Sequence, residues 1–174
     1  MLALLTSDLR PFIQDIVFFT LFACAVIWGG APERAIAATW MILFEGVTRI
    51  YRGISGLGYQ LEHVDLFHAS IDGVVCLSWV TIALYANRNY PLLIAALQLL
   101  VVSAHLARGL IETVSPIGYA IMVIAPSWLQ LIVLSIGLVR HAMRQRRFGP
   151  YRDWRRSPGS VGWDQKQSTW MAPW

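Results

Sequence analysis

Charge is what this sequence has least of: 14% of its 174 residues are Asp, Glu, Lys or Arg, against roughly 25% in an ordinary soluble domain. With 56% hydrophobic residues, that deficit excludes a conventional water-soluble globule and indicates a membrane protein. Cysteine is also scarce. Cys24 and Cys76 lie inside apolar runs, and with no CxxC or Cys/His cluster they exclude a zinc site and read as small core residues. There is no nucleophile elbow, phosphate-binding loop or HExxH box, and the glycines of "RGISGLGYQ" lack GxGxxG spacing. An enzyme is therefore not expected, and no resident metal or cofactor is implied.

Long apolar runs, by contrast, recur. A helix needs about 20 mostly apolar residues to cross a hydrocarbon core of about 30 Å. Five runs approach that length, near Phe12–Trp28, Ala35–Tyr51, Leu66–Tyr85, Pro91–Leu110 and Ile117–Val139. They do not alternate in polarity as barrel strands do, and lipid cannot satisfy stray backbone groups, so they must be helices. Short links such as "GGAPER", "NRNYP" and "TVSP" make neighbours antiparallel. The expected fold is an all-α polytopic transmembrane bundle over residues 1–139, followed by a basic, Trp-rich tail over residues 140–174.

The second run is interrupted by Glu45 and Arg49; read as an interfacial helix, it would leave four spans. The first run loosely resembles a lipoprotein signal at "LFAC", but Phe22 is bulky for that box, and Gln14 and Asp15 fall where its apolar region should begin. With five spans, Arg10, Arg49, Arg52 and Arg108 fall on one side. Arg34, Arg88, Arg140, Arg144, Arg146, Arg147, Arg152, Arg155, Arg156 and Lys166 fall on the other. The positive-inside rule places the tail in the cytoplasm and the amino terminus outside.

Polar residues within the runs are the candidate site. Helical residues advance about 1.5 Å each, so counting away from each turn compares depths. Asp72 and His105 come out level, and counts about the other turns bring Asp15 and Glu45 near the same depth. In the fourth run Gln98 shares a stripe with His105. Asp15, Glu45, Asp72, Gln98 and His105 are thus expected to form an intramembrane polar layer. His68, about 7 Å off that level, is expected to be solvated. Three uses of the layer compete: fixing helix register, with Asp72 on His105 and Glu45 on Arg49; moving protons or cations; and holding a b-type haem between His68 and His105, which their depth offset makes awkward. Ala69 with Gly73, and Ser103 with Ala107, have the small-xxx-small spacing of closely packed helices. Pro126 reads as a tolerated bend.

The tail begins with Arg140, Arg144, Arg146 and Arg147 and continues through Trp154, Arg155, Arg156, Trp163, Trp170 and Trp174. A juxtamembrane basic cluster gains about 1 kcal/mol per charge near an anionic leaflet. Isolated tryptophans are anchors for a partner or for the lipid interface. Nucleic-acid binding would need a recognised motif, and none is present.

The segment "ALYANRNYPLLIAALQLLVVSAHLARG", with Asp72 upstream and "SIGLVRH" after it, resembles a group of small multi-span proteins of bacterial inner membranes without an assigned activity. Arg88, Tyr90, Pro91, Gln98 and His105 carry the likeness, over the central two-thirds of the chain. It implies the fold and a bacterial inner-membrane location, and it treats Asp72, Gln98 and His105 as a unit. The expected role is a non-catalytic accessory or scaffolding subunit whose partners are the lipid bilayer and other subunits of a membrane complex. The alternatives are a small proton- or cation-coupled carrier and a phage-type holin.

Overall fold

The computed structural model describes residues 9–56, 65–111, 115–149 and 153–154, and over these the chain is almost wholly helical. Helix α1 runs Leu9–Trp28. A Gly29–Gly30 turn leads to α2 (Ala31–Trp40), which passes without a break through a π-helical segment (Met41–Val47) into α3 (Thr48–Ser55). Then come α4 (Leu66–Tyr85), α5 (Tyr90–Leu110) and α6 (Pro116–Phe148). No strand occurs among the described residues; one isolated bridge joins Ala86 to Trp154.

Local chemistry sets the helix ends. Asp65 caps α4 by accepting from the main-chain N–H of His68 at 3.1 Å, and Ser115 caps α6 by accepting from that of Gly118 at 3.1 Å. Prolines 32, 91 and 116 occupy first turns, where their missing N–H has no helical partner to lose. Gly56, at φ 67°, ends α3 in the left-handed conformation that glycine adopts at least cost.

Helices α4, α5 and α6 are long and apolar enough to cross a bilayer, as a membrane-spanning protein requires, and α1 adds a shorter apolar stretch over Phe12–Trp28. Only 39% of the apolar stretch of α4 is buried within the chain, and 33% of that of α6. Leu77, Leu84, Leu99, Leu106 and Ile132 point outward. A surface this apolar suits lipid and would be a liability in water.

Helix α5 packs between α4 and α6, α1 lies against α6, and α2 bridges α1 and α4. The apolar core centres on an aromatic column. Phe18 stacks on Trp40 at 5.2 Å between ring centroids, Trp40 meets Trp79 at 5.7 Å, and Phe44 closes the edge.

The small-residue spacing does not mark the close contacts. A Cβ on Gly73 would meet no heavy atom within 4 Å, and Ser103 is exposed, bonding the carbonyl of Leu99 in its own helix. The close approach lies instead at Gly137, where a Cβ would come within 2.9 Å of the Tyr90 ring. Pro126 is buried within α6, and the helix continues through it. It also continues nine residues past Val139, so the basic segment begins as helix.

Candidate functional site

Asp72 sits on the buried stripe of α4 with Ile71, Val75 and Trp79, and two residues of α5 reach its two carboxylate oxygens. Gln98 Nε2 donates to Oδ1 at 2.7 Å and also lies 3.2 Å from the Asp72 main-chain oxygen. His105 Nε2 is 2.8 Å from Oδ2. Helix α6 extends both contacts. The Tyr119 hydroxyl lies 2.7 Å from His105 Nδ1, and Gln130 Nε2 donates to Gln98 Oε1 at 2.9 Å. All five residues are buried, with Gln98 only 1% exposed.

With an ionised Asp72, which only accepts, and a neutral His105 the bonds share one direction: the imidazole carries its proton on Nε2, donates to Asp72, and accepts the Tyr119 hydroxyl proton at Nδ1. On the other side Gln130 donates to Gln98, and Gln98 donates to Asp72. Two arms from α5 and α6 converge on a single acceptor of α4. In a low-dielectric interior such a chain is strong while complete and costly when broken.

Asp15 and Glu45 do not join it. They meet on Arg49, at 3.1 Å and 2.7 Å, on a face where the Arg49 side chain is 54% exposed. Depth counting brings them level with Asp72 but says nothing of angle, and the π-helical segment alters the phase that α-helical counting assumes. His68 also departs from expectation. It is buried rather than solvated, with Nδ1 2.7 Å from Asp65, because the stacked rings of Tyr51 and Phe67 cover the amino-terminal end of α4.

Haem ligation does not fit these residues. Both ring nitrogens of His105 are engaged, and an iron would have to displace Asp72 or Tyr119. Among the described residues no group of three or more His, Cys, Asp or Glu is placed to hold a metal ion. Cys24 and Cys76 are free thiols.

Sequence reasoning missed Tyr119 and Gln130, although the same counting reaches them. Measured from position 113, Gln98 and Gln130 differ in depth by about 3 Å, and so do His105 and Tyr119. It also missed a second polar cluster. Glu33, read as part of a loop, lies in the first turn of α2, wholly buried, and forms a salt bridge with Arg88 from the α4–α5 turn. Arg88 also bonds Asp153, whose other oxygen accepts the Ala31 main-chain N–H at 2.9 Å and whose carbonyl accepts that of Asn87 at 3.0 Å. Gly30 makes room, since a Cβ there would lie 2.5 Å from the Asp153 carboxylate.

Of the tail residues, Arg140, Arg144, Arg146 and Arg147 are exposed on the last turns of α6, and Trp154 pairs with Ala86. Arg155, Arg156, Trp163, Trp170 and Trp174 lie outside the described residues. No family model, curated protein or solved structure matches the chain.

Proposed function

We propose that this chain is a non-catalytic scaffolding subunit of a larger complex in a bacterial inner membrane. It crosses five times, with its amino terminus outside and its basic tail in the cytoplasm. The observation that carries this reading is the closure of the Asp72 network. None of its buried polar atoms lacks a partner among the described residues, and its bonds join three helices. A transport site keeps coordinating groups for its cargo, whereas a register device uses them on itself. Arg34, Arg88 and the arginines of α6 gather at one end, which the positive-inside rule assigns to the cytoplasm.

The test is purification in mild detergent, comparing the full chain with one ending at residue 157. The scaffold reading expects defined partner subunits in fixed ratio with the full chain only, and equal thermal stability of the two. A solitary full-length protein would defeat it. Fusions after residue 174 test placement: a fluorescent reporter should glow and a periplasmic phosphatase stay inactive.

A proton-coupled carrier is the second reading, favoured by the hydrogen-bonded order Tyr119, His105, Asp72, which could relay a proton. In liposomes it expects pH-dependent flux, abolished in Asp72→Asn and His105→Gln variants that remain folded. Lack of flux by the wild type removes it.

A further inference from the structure

Where α5 begins and α6 runs past it lies a cavity of about 690 Å³, open to the surface. Tyr90 at the head of α5 packs on Gly137, so the eleven residues of α6 from Leu138 to Phe148 project about 16 Å beyond that contact. Arg140, Arg144 and Arg147 recur at helical spacing on this overhang, and all three line the cavity. Asn87 and Asn89 of the α4–α5 turn face them. Arg88 lines it too, with its charge offset by Glu33 and Asp153. No carboxylate is among the described residues of the lining. The rest of the wall is Tyr90, the buried His141 and Gly137, and apolar side chains, of which Leu93, Ile136, Met143 and Phe148 face outward.

This pairing of a cationic rim with an apolar wall matches one chemistry, a phosphodiester anion carrying hydrocarbon chains. We infer that the groove between the start of α5 and the end of α6 is a specific site for an anionic phospholipid of the inner leaflet. The phosphate sits among Arg140, Arg144 and Arg147, and the acyl chains lie along Leu93 and Ile136. The inference rests on the membrane placement proposed above. It goes beyond general attraction to a charged surface, because it requires one lipid per chain in one groove. Guanidinium groups suit it better than ammonium groups would, since their planar fork matches two phosphate oxygens at once.

The experiment is a lipid titration of the delipidated full-length protein in mild detergent, read by native mass spectrometry. Separate arms use phosphatidylglycerol, phosphatidylcholine of the same chain length, and inorganic phosphate. The expected result is one phosphatidylglycerol per chain, with phosphatidylcholine at least about tenfold weaker and no displacement of the lipid by equimolar phosphate. The R140Q/R144Q/R147Q variant should weaken phosphatidylglycerol at least about tenfold, whereas R49Q/R52Q, at the opposite end, should leave it unchanged. Ile136→Trp should weaken it with every arginine in place, and it decides the matter if the triple variant fails to fold. Equal binding of the two lipids, displacement by phosphate alone, equal losses in R49Q/R52Q, or an indifferent Ile136→Trp would overturn the site. Alkaline carbonate extraction of the membranes from which the protein is purified separates the two readings. A protein released by carbonate refutes the membrane placement and the site with it; one retained in the membrane without lipid selectivity refutes the site alone.

Discussion

The two halves of this bundle are held by opposite means. Between α4, α5 and α6 the ties are directional and buried: four side chains whose hydrogen bonds lead to the Asp72 carboxylate. Between α1 and the α2–α3 rod they are ring stacking, Phe18 on Trp40, and an ion triad around a half-exposed Arg49. A hydrogen-bonded core specifies one register, because a slip of one residue orphans several buried groups at once. Stacked rings and a flexible arginine tolerate small shifts. The α4–α6 half is accordingly built to hold a position, and the α1–α3 half to accommodate one.

Substitutions can break that contrast, and the largest effect is expected where the halves are joined. Arg88→Met strands Glu33 as a buried, unpaired carboxylate and should cost about 3–5 kcal/mol, measured by thermal unfolding in detergent. Glu33→Gln added to it should recover much of the loss. Asp72→Ala removes the common acceptor of Gln98 and His105 and should cost about 3 kcal/mol. Hydrogen exchange should then show faster opening of α5 than of α1. Gln130→Leu trims one arm of the network and should cost about 1 kcal/mol in the same assay. Arg49→Gln should change stability by less than about 1 kcal/mol. A larger loss there than in Asp72→Ala would erase the distinction between the halves.

The Asp72–His105 contact was legible in the sequence because a tight turn at Asn89 makes depth a matter of counting. The Glu45–Arg49 pair was legible because residues four apart share a helix face. What counting along the axis does not carry is azimuth. Asp15 and Glu45 share a depth with Asp72 yet face elsewhere. Gln130 and Tyr119 are level with Gln98 and His105 by the same count, but depth does not give the face of α6 that meets α5. The Arg88 cluster was hidden for another reason: its members come from an apparent loop, a turn and the tail, three segments with no periodicity to connect them.

The π-helical segment between Met41 and Val47 explains how one rod serves both halves. Its bonds reach five residues back rather than four, and the Thr48 hydroxyl follows the same spacing to the Leu43 carbonyl at 3.4 Å. The wide turn stores surplus length, and the surplus is a phase shift. Deleting one residue there would let the rod run as plain α-helix while swinging α3 by about 100° against α2. Trp40 could then keep its place in the core only if Arg49 gave up Asp15. The segment therefore works as a coupling between two misaligned shafts, each keyed to α1 and α4 through its own side chains.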